Sequence, residues 1–168
     1  MGEMTPDAVD AIAAQWQRER PDLDMEAMAV IGRLGRLWVV AGKRIEAVFA
    51  AHGLQRGEFD VLASLRRSGE PYELNPSVMA DTMMLSRAGM TGRLDRLESA
   101  GLVRRIADAN DRRAVKVGLT DRGLQLIDVV ITEHIENENR ILAVLSETDR
   151  RELDRLTRLL LTDLERES

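Results

Sequence analysis

The sequence predicts a mainly α-helical fold with one small β-hairpin. Apolar residues recur at spacings of three and four along most of the 168 residues, which is the period of amphipathic helices. Two short runs rich in β-branched residues, 102–106 and 114–119, flank a polar loop at 107–113. Aromatic residues make up only 3% of the chain, so aliphatic side chains must build the core.

The N-terminal part of the chain predicts three helices. The first spans about residues 7–20 and ends before Pro21, because a helix does not easily continue through proline. The third spans about residues 56–67 and is followed by the breaker sequence Ser68–Gly69–Glu70–Pro71. The second helix ends near Gly53, and its apolar stripe consists of Met28, Ile31, Leu34, Trp38, Ala41, Ile45 and Val48.

The central segment contains two short helices followed by the hairpin. Asn75 and Pro76 are typical of a helix start, and the turn at Met84–Leu85 precedes a second helix over 87–100 that Ser86 can cap. The order helix, turn, helix and hairpin is that of a winged helix-turn-helix. The sequence therefore predicts a DNA-binding lobe over residues 54–119 of a single domain, 1–168.

Two long helices are predicted after the lobe. Thr120 caps one that extends to about Leu145, and Ser146 with Asp149 forms a capping box for the other. The segments 1–53 and 120–168 carry more apolar helix surface than one small lobe can cover, so we expect them to be dimerisation helices. The chain is therefore expected to form a homodimer.

Charge and composition narrow the function classes. The net charge is −5, but residues 75–119 carry eight cationic and five anionic side chains, a local excess of +3. There is no cysteine, no apolar run long enough to span a membrane and no secretory signal, so a cytoplasmic location without membrane contact is expected. His52 and His134 lack companion ligands, and no catalytic motif occurs, so neither a metal, a cofactor nor a catalytic residue is predicted.

The predicted DNA contacts lie on the second helix of the motif and on the hairpin loop. Arginine and threonine can bond bases or phosphates, and small residues allow a helix to approach base edges. An arginine at the loop can enter the minor groove, although a solvated helix face and an internal Asp111–Arg113 pair would also explain the pattern. The predicted DNA-binding residues are Ser86, Arg87, Thr91, Arg93, Arg112 and Arg113.

Four stretches of the central segment form a recognisable set, namely 57–62, GEFDVL, 94–103, LDRLESAGLV, 111–113, DRR, and 119–123, LTDRG. Through these stretches residues 54–123 resemble the MarR family of transcription regulators. The resemblance implies a homodimer with interlocked terminal helices that binds a palindromic operator in double-stranded DNA. It also implies that the helix starting at Ser86 enters the major groove and that Arg113 enters the minor groove.

A narrower resemblance, to the PecS-type branch, begins at residues 15–24, QWQRERPDLD, and continues at 31–34, IGRL. It implies an extra N-terminal helix. It also implies a repressor that a small anion releases from DNA. Urate or a related purine is the first expectation and citrate or aconitate the second. The effector-binding residues of the branch correspond to Trp16, Asp60, Arg93 and Arg105. Arg87 departs from the branch, which has a small residue near the start of the recognition helix.

The chemistry of these four residues is consistent with that role. A flat anion can stack on the Trp16 indole, two guanidiniums can pair with its oxygens, and Asp60 can accept a ring N–H. The four residues could instead be a helix anchor and structural ion pairs. Two other functions also stay open, an enzyme that uses Asp60 or a glutamate as an acid–base group, and a protein-interaction module whose wing binds no DNA.

Overall fold

A computed structural model describes residues 5–83, 87–107 and 115–166, without the Arg87 side chain. It contains seven helices and a three-stranded sheet in these residues. The elements are α1 Ala8–Glu19, α2 Glu26–Ala51, α3 Arg56–Arg67, β1 Glu73–Leu74, α4 Pro76–Thr82, α5 Arg87–Ser99, β2 Val103–Ala107, β3 Val115–Leu119, α6 Asp121–Ile141 and α7 Glu147–Arg166. The predicted fold class, mostly helical with a small antiparallel sheet, is confirmed.

The chain divides into two compact units, Met1–Arg44 and Ile45–Ser168. In the first unit, Asp7 caps α1 by accepting hydrogen bonds from the backbone N–H groups of Val9 and Asp10. Val9 is buried and packs close to Gly32 of α2, where a side-chain carbon would come within 3.3 Å of it. Arg33 of α2 bonds both Asp7, at 2.9 Å, and Asp10, so α1 is fixed along α2 by packing and by charge.

The second unit has the continuous hydrophobic core. The rings of Phe49 and Phe59 stack with centroids 4.1 Å apart, and the ring of His134 lies edge-on to Phe59. Around them the fully buried aliphatic side chains come from α3, α5, β3 and α6, namely Val61, Leu62, Leu65, Leu97, Val117, Ile127 and Val130. The core therefore fixes the two motif helices and the sheet against α3 and α6.

The sheet has the order β1-β3-β2, and both pairings are antiparallel. β2 and β3 form the predicted hairpin, with Val103 opposite Leu119 and Ala107 opposite Val115. β1 was not predicted; it adds only Glu73 and Leu74, opposite Gly118 and Val117. This short strand joins the segment before α4 to the base of the hairpin.

The helices outside the lobe present apolar side chains to solvent in the isolated chain. α7 has no buried residue along its twenty positions, and Trp38 of α2 is 61% exposed. The exposed large apolar residues of these helices include Leu37, Val39, Val40, Leu156, Leu159, Leu160, Leu161 and Leu164. α6 ends at Ile141 and not at Leu145 as expected, because residues 142–144 form a turn before α7.

Candidate DNA-binding and effector site

α4 and α5 form the helix-turn-helix. The Asn75 side chain accepts a hydrogen bond from the Ser77 N–H at 2.9 Å, and Pro76 occupies the first turn of α4 as the sequence predicted. Met79 of α4 and Met90 of α5 are both buried, which holds the two helices together over the core. The buried side of α5 leaves Ala88, Gly89 and the predicted DNA-binding residue Thr91 on its exposed face.

Three of the predicted DNA contacts lie outside the described residues, namely Ser86, Arg112 and Arg113. α5 begins at Arg87, as expected, and β2 and β3 form the base of the wing. The roles of Ser86, Arg87, Arg112 and Arg113 in DNA binding stay predictions.

Arg105 of β2 connects the wing to α5. Its Nη2 lies 2.5 Å from Asp95 Oδ1, its Nη1 bonds Glu98, and its backbone N–H donates to Glu98 Oε1 at 3.1 Å. The hydrogen bond to Asp95 is the main cause of a raised Arg105 pKa, followed in the same direction by Glu98. Because Asp95 and Glu98 lie on α5, these bonds couple the orientation of the first wing strand to that of the helix.

Arg93 of α5 turns toward α3 and lies over Gly57. A side-chain carbon at Gly57 would stand only 2.6 Å from Arg93 Cζ, so the guanidinium occupies the space that a larger residue would need. Arg93 Nη1 is buried and has no hydrogen-bond partner in the part of the chain that the structure describes. A buried, unsatisfied donor of a charged group lowers the stability of the folded protein by about 1–3 kcal/mol or more. A ligand that accepts a hydrogen bond from Arg93 Nη1 would remove this penalty.

Asp60 of α3 shares this environment with Arg93. Its carboxyl is half-buried, and burial raises its pKa above the ordinary value even though Arg56 and Arg93 act in the opposite direction. The structure therefore brings two of the four predicted effector residues, Asp60 and Arg93, within electrostatic range of each other. Arg105 is engaged with Asp95 and Glu98, and Trp16 lies half-exposed on α1 in the first unit.

Sequence reasoning missed a second connection between α3 and α5. Glu58 is only 6% exposed; it accepts the Gln55 backbone N–H at 2.8 Å and Arg96 Nε at 2.6 Å. The three-residue spacing of Gln55 and Glu58 is that of a capping box, a signal that was available in the sequence. The sequence indicates no companion ligands for His134, and the structure adds that its Nδ1 is buried without a partner among the described residues.

Comparison with known proteins decides the family. The sequence profile of the MarR family matches residues 52–114. The chain is 46% identical over 145 residues to the HTH-type transcriptional regulator PecS of Dickeya dadantii (strain 3937). The matched region covers 86% of this chain and 87% of that protein. The chain belongs to the MarR family.

Solved structures agree with this MarR assignment. AbsC, a MarR family transcriptional regulator from Streptomyces coelicolor, is 26% identical with a TM-score of 0.73, covering 85% of this chain and 96% of AbsC. Sco3205 from the same organism, solved in complex with DNA, shares the fold at 19% identity with a TM-score of 0.75, covering 84% and 89% of the two chains.

This MarR family member is a DNA-binding transcription regulator, and its relatives are regulators and not enzymes. Among the residues described, no helix combines the length and apolarity needed to cross a membrane. The same residues contain no cluster of three or more potential metal ligands.

Proposed function

We propose that the protein is a homodimeric repressor that a small planar or polycarboxylate anion releases from a palindromic operator. The observation that carries the effector part is the buried, unpartnered Arg93 Nη1 beside the half-buried Asp60 carboxyl. A site with an unsatisfied donor and a nearby acceptor suits a ligand that offers both groups. Urate or a related purine offers ring N–H donors as well as oxygens, and citrate or aconitate is the second choice because it has no ring N–H and its carboxylates only accept hydrogen bonds.

The effector would act through the residues that orient the DNA-binding parts. Arg93 lies on α5, and Arg105 connects α5 with β2 through Asp95 and Glu98. An anion that draws Arg105 away from these carboxylates loosens the connection between helix and wing. Such a ligand lowers DNA affinity by the difference in its own affinity for the two arrangements, typically about 5- to 150-fold. In this proposal Trp16 supplies the stacking surface.

The DNA side of the proposal assigns α5 to the major groove and the wing to the minor groove. Thr91 lies on the exposed face of α5, whereas Arg93 turns toward α3, which favours its effector role over a base contact. Ser86, Arg87 and Arg112 are assigned to phosphates and bases, and Arg113 to the minor groove.

Dimerisation and repression are supported by separate observations. The apolar faces of α2 and α7 need a cover, and a second copy of the chain also supplies the twofold symmetry of a palindromic operator. A relative that is 30% identical over 115 residues is the Transcriptional repressor MprA of Escherichia coli (strain K12). A regulator of this kind works beside the chromosome, in the cytoplasm.

The test of the effector site is a titration of operator DNA by fluorescence anisotropy with and without urate or citrate. Asp60→Asn is expected to keep the DNA affinity and to lose the response to the anion. The matched control is Asp128→Asn, since Asp128 is a carboxylate outside the effector residues that bonds Arg66 at 2.6 Å. Calorimetry that detects neither anion at about 1 mM, or a response that survives Asp60→Asn, would contradict the effector proposal.

The DNA proposal has its own test. Arg113→Ala is expected to weaken operator binding by about 1–3 kcal/mol, with the largest effect on A·T-rich sites. Unchanged binding at physiological salt would refute the wing assignment, and no specific binding by the parent protein would favour an interaction module.

A further inference from the structure

A cleft apart from the effector residues opens on the other side of α3. It has a volume of about 710 Å³ and lies between the start of α3, the end of α5 and the start of α6. This volume falls within the range of about 300–1,000 Å³ typical of small-molecule sites. Neither Asp60, Arg93 nor Arg105 lines it. Helical periodicity puts Glu58, which lines the cleft, and Asp60 on different faces of α3.

The cleft combines an apolar floor with a cationic rim. Its apolar side chains come from α5, from α6 and from the loops before α3 and before β2, namely Leu54, Leu97, Ala100, Leu102 and Leu126. Two guanidiniums, of Arg96 and Arg122, and one carboxylate, of Glu58, line it as well. These three groups leave a net charge of one positive unit when His52 is neutral.

Both guanidiniums keep hydrogen-bonding capacity. Arg96 uses Nε to bond Glu58 at 2.6 Å, and Arg122 uses Nη1 to bond the Ala100 carbonyl at 3.0 Å. These are the hydrogen bonds found for the two side chains within the described residues. A guanidinium has five N–H donors, so each arginine retains donors for an anion.

We propose that this cleft binds an amphiphilic monoanion, a molecule with an apolar ring or chain and a single carboxylate. The carboxylate bonds Arg96 and Arg122, and the apolar body packs on the leucine floor. A dianion or tricarboxylate suits the cleft poorly, because the Glu58 carboxylate already neutralises one of the two cations. The cleft and the Asp60 site therefore select different ligands.

The position of the cleft determines what such a ligand can affect. Arg96 is nine residues after Arg87, about 14 Å along α5 from the end assigned to DNA. A bound monoanion therefore leaves that end of the helix accessible. It also bridges α5 and α6, since one arginine comes from each.

The test uses 1-naphthoate as the probe and isothermal calorimetry on the intact protein. We expect 1-naphthoate to bind the parent protein with a Kd below about 1 mM. The Kd should be about tenfold higher for Arg122→Gln, and about tenfold higher for the neutral analogue 1-naphthalenemethanol with the parent protein, because each change removes a charge-assisted hydrogen bond. Arg151→Gln is the matched control, since Arg151 lies on α7 and does not line the cleft. Ala100→Leu adds apolar bulk to the lining and is expected to weaken binding without changing the charge of the cleft.

Three results would overturn the proposal. They are no binding of 1-naphthoate at about 1 mM, unchanged affinity in both Arg122→Gln and Ala100→Leu with native circular dichroism, and loss of binding in Asp60→Asn. The last result would place the probe in the effector site. The proposal on the effector site is tested with different anions, so the two can fail separately.

Discussion

Gly57→Ala is predicted to move Arg93 without harming the fold. The new methyl carbon would stand 2.6 Å from Arg93 Cζ and 2.8 Å from Nη2, well inside van der Waals contact. The obstructing atoms belong to the end of a long side chain, so Arg93 can rotate away while the backbone of α3 stays in place. The substitution therefore separates the position of this guanidinium from the stability of the lobe.

The magnitudes follow from the two effects. Alanine in place of glycine in a helix gains about 0.5–1 kcal/mol, and the lower value applies because Gly57 lies in the first turn of α3. A gain of about 0.5 kcal/mol raises the Tm of a chain of this length by about 1–2 °C. Losing a hydrogen bond from a charged donor to the effector costs about 1.5–3 kcal/mol, or roughly 10- to 150-fold in Kd.

The assays are differential scanning calorimetry and effector titration on the same preparation. Unchanged or raised Tm together with weakened effector binding is the expected result. A Tm several degrees lower would mean that Arg93 cannot move and that its position is part of the core. Effector affinity equal to that of the parent would mean that Arg93 does not contact the anion.

Three further predictions concern stability and assembly. Gly123→Ala should lower the free energy of unfolding by about 1–3 kcal/mol or more, because its Cβ would overlap the Leu102 carbonyl oxygen. The control Gly92→Ala should not lower the Tm, because its Cβ would meet only the end of a side chain, at 3.9 Å. Asp60→Asn should raise the Tm at pH 7, because burial penalises the carboxylate. Because the pKa of Asp60 is higher in the folded protein than its ordinary value of 3.8, the parent protein becomes more stable as the pH falls through the folded pKa toward 3.8. The difference in Tm between the parent and Asp60→Asn should therefore shrink in that pH range. Leu160→Glu, at an exposed apolar position of α7, should shift sedimentation toward monomer, and an unchanged dimer would exclude α7 from the interface.

Most of the fold could be predicted because its signals are local. The Asn75 cap before Pro76, the Thr120 cap and the Ser146–Asp149 pair lie at the helix starts that they predicted, and each depends on hydrogen bonds within three residues. β1 could not be predicted, because its two residues owe their strand conformation to pairing with β3, more than forty positions later. Pairing at that distance leaves no local pattern.

The candidate site was predictable in residue type but not in pairing. The sequence indicates that Arg93 and Arg105 are cations near the helix-turn-helix, yet five acidic side chains lie in the same segment. Only the three-dimensional structure shows that Arg105 bonds two of them while Arg93 Nη1 has none among the described residues. The choice of partner depends on side-chain geometry, which spacing alone does not determine.

The absence of any buried residue along α7 has a consequence for how much of this protein a cell keeps. A newly made subunit presents a row of leucines to solvent, the kind of surface that chaperones and proteases recognise. If pairing covers that row, the lifetime of each subunit rises with its concentration, since association protects the folded form by mass action. The amount of regulator would then respond more than proportionally to its own synthesis, which would sharpen the threshold at which its operators fill.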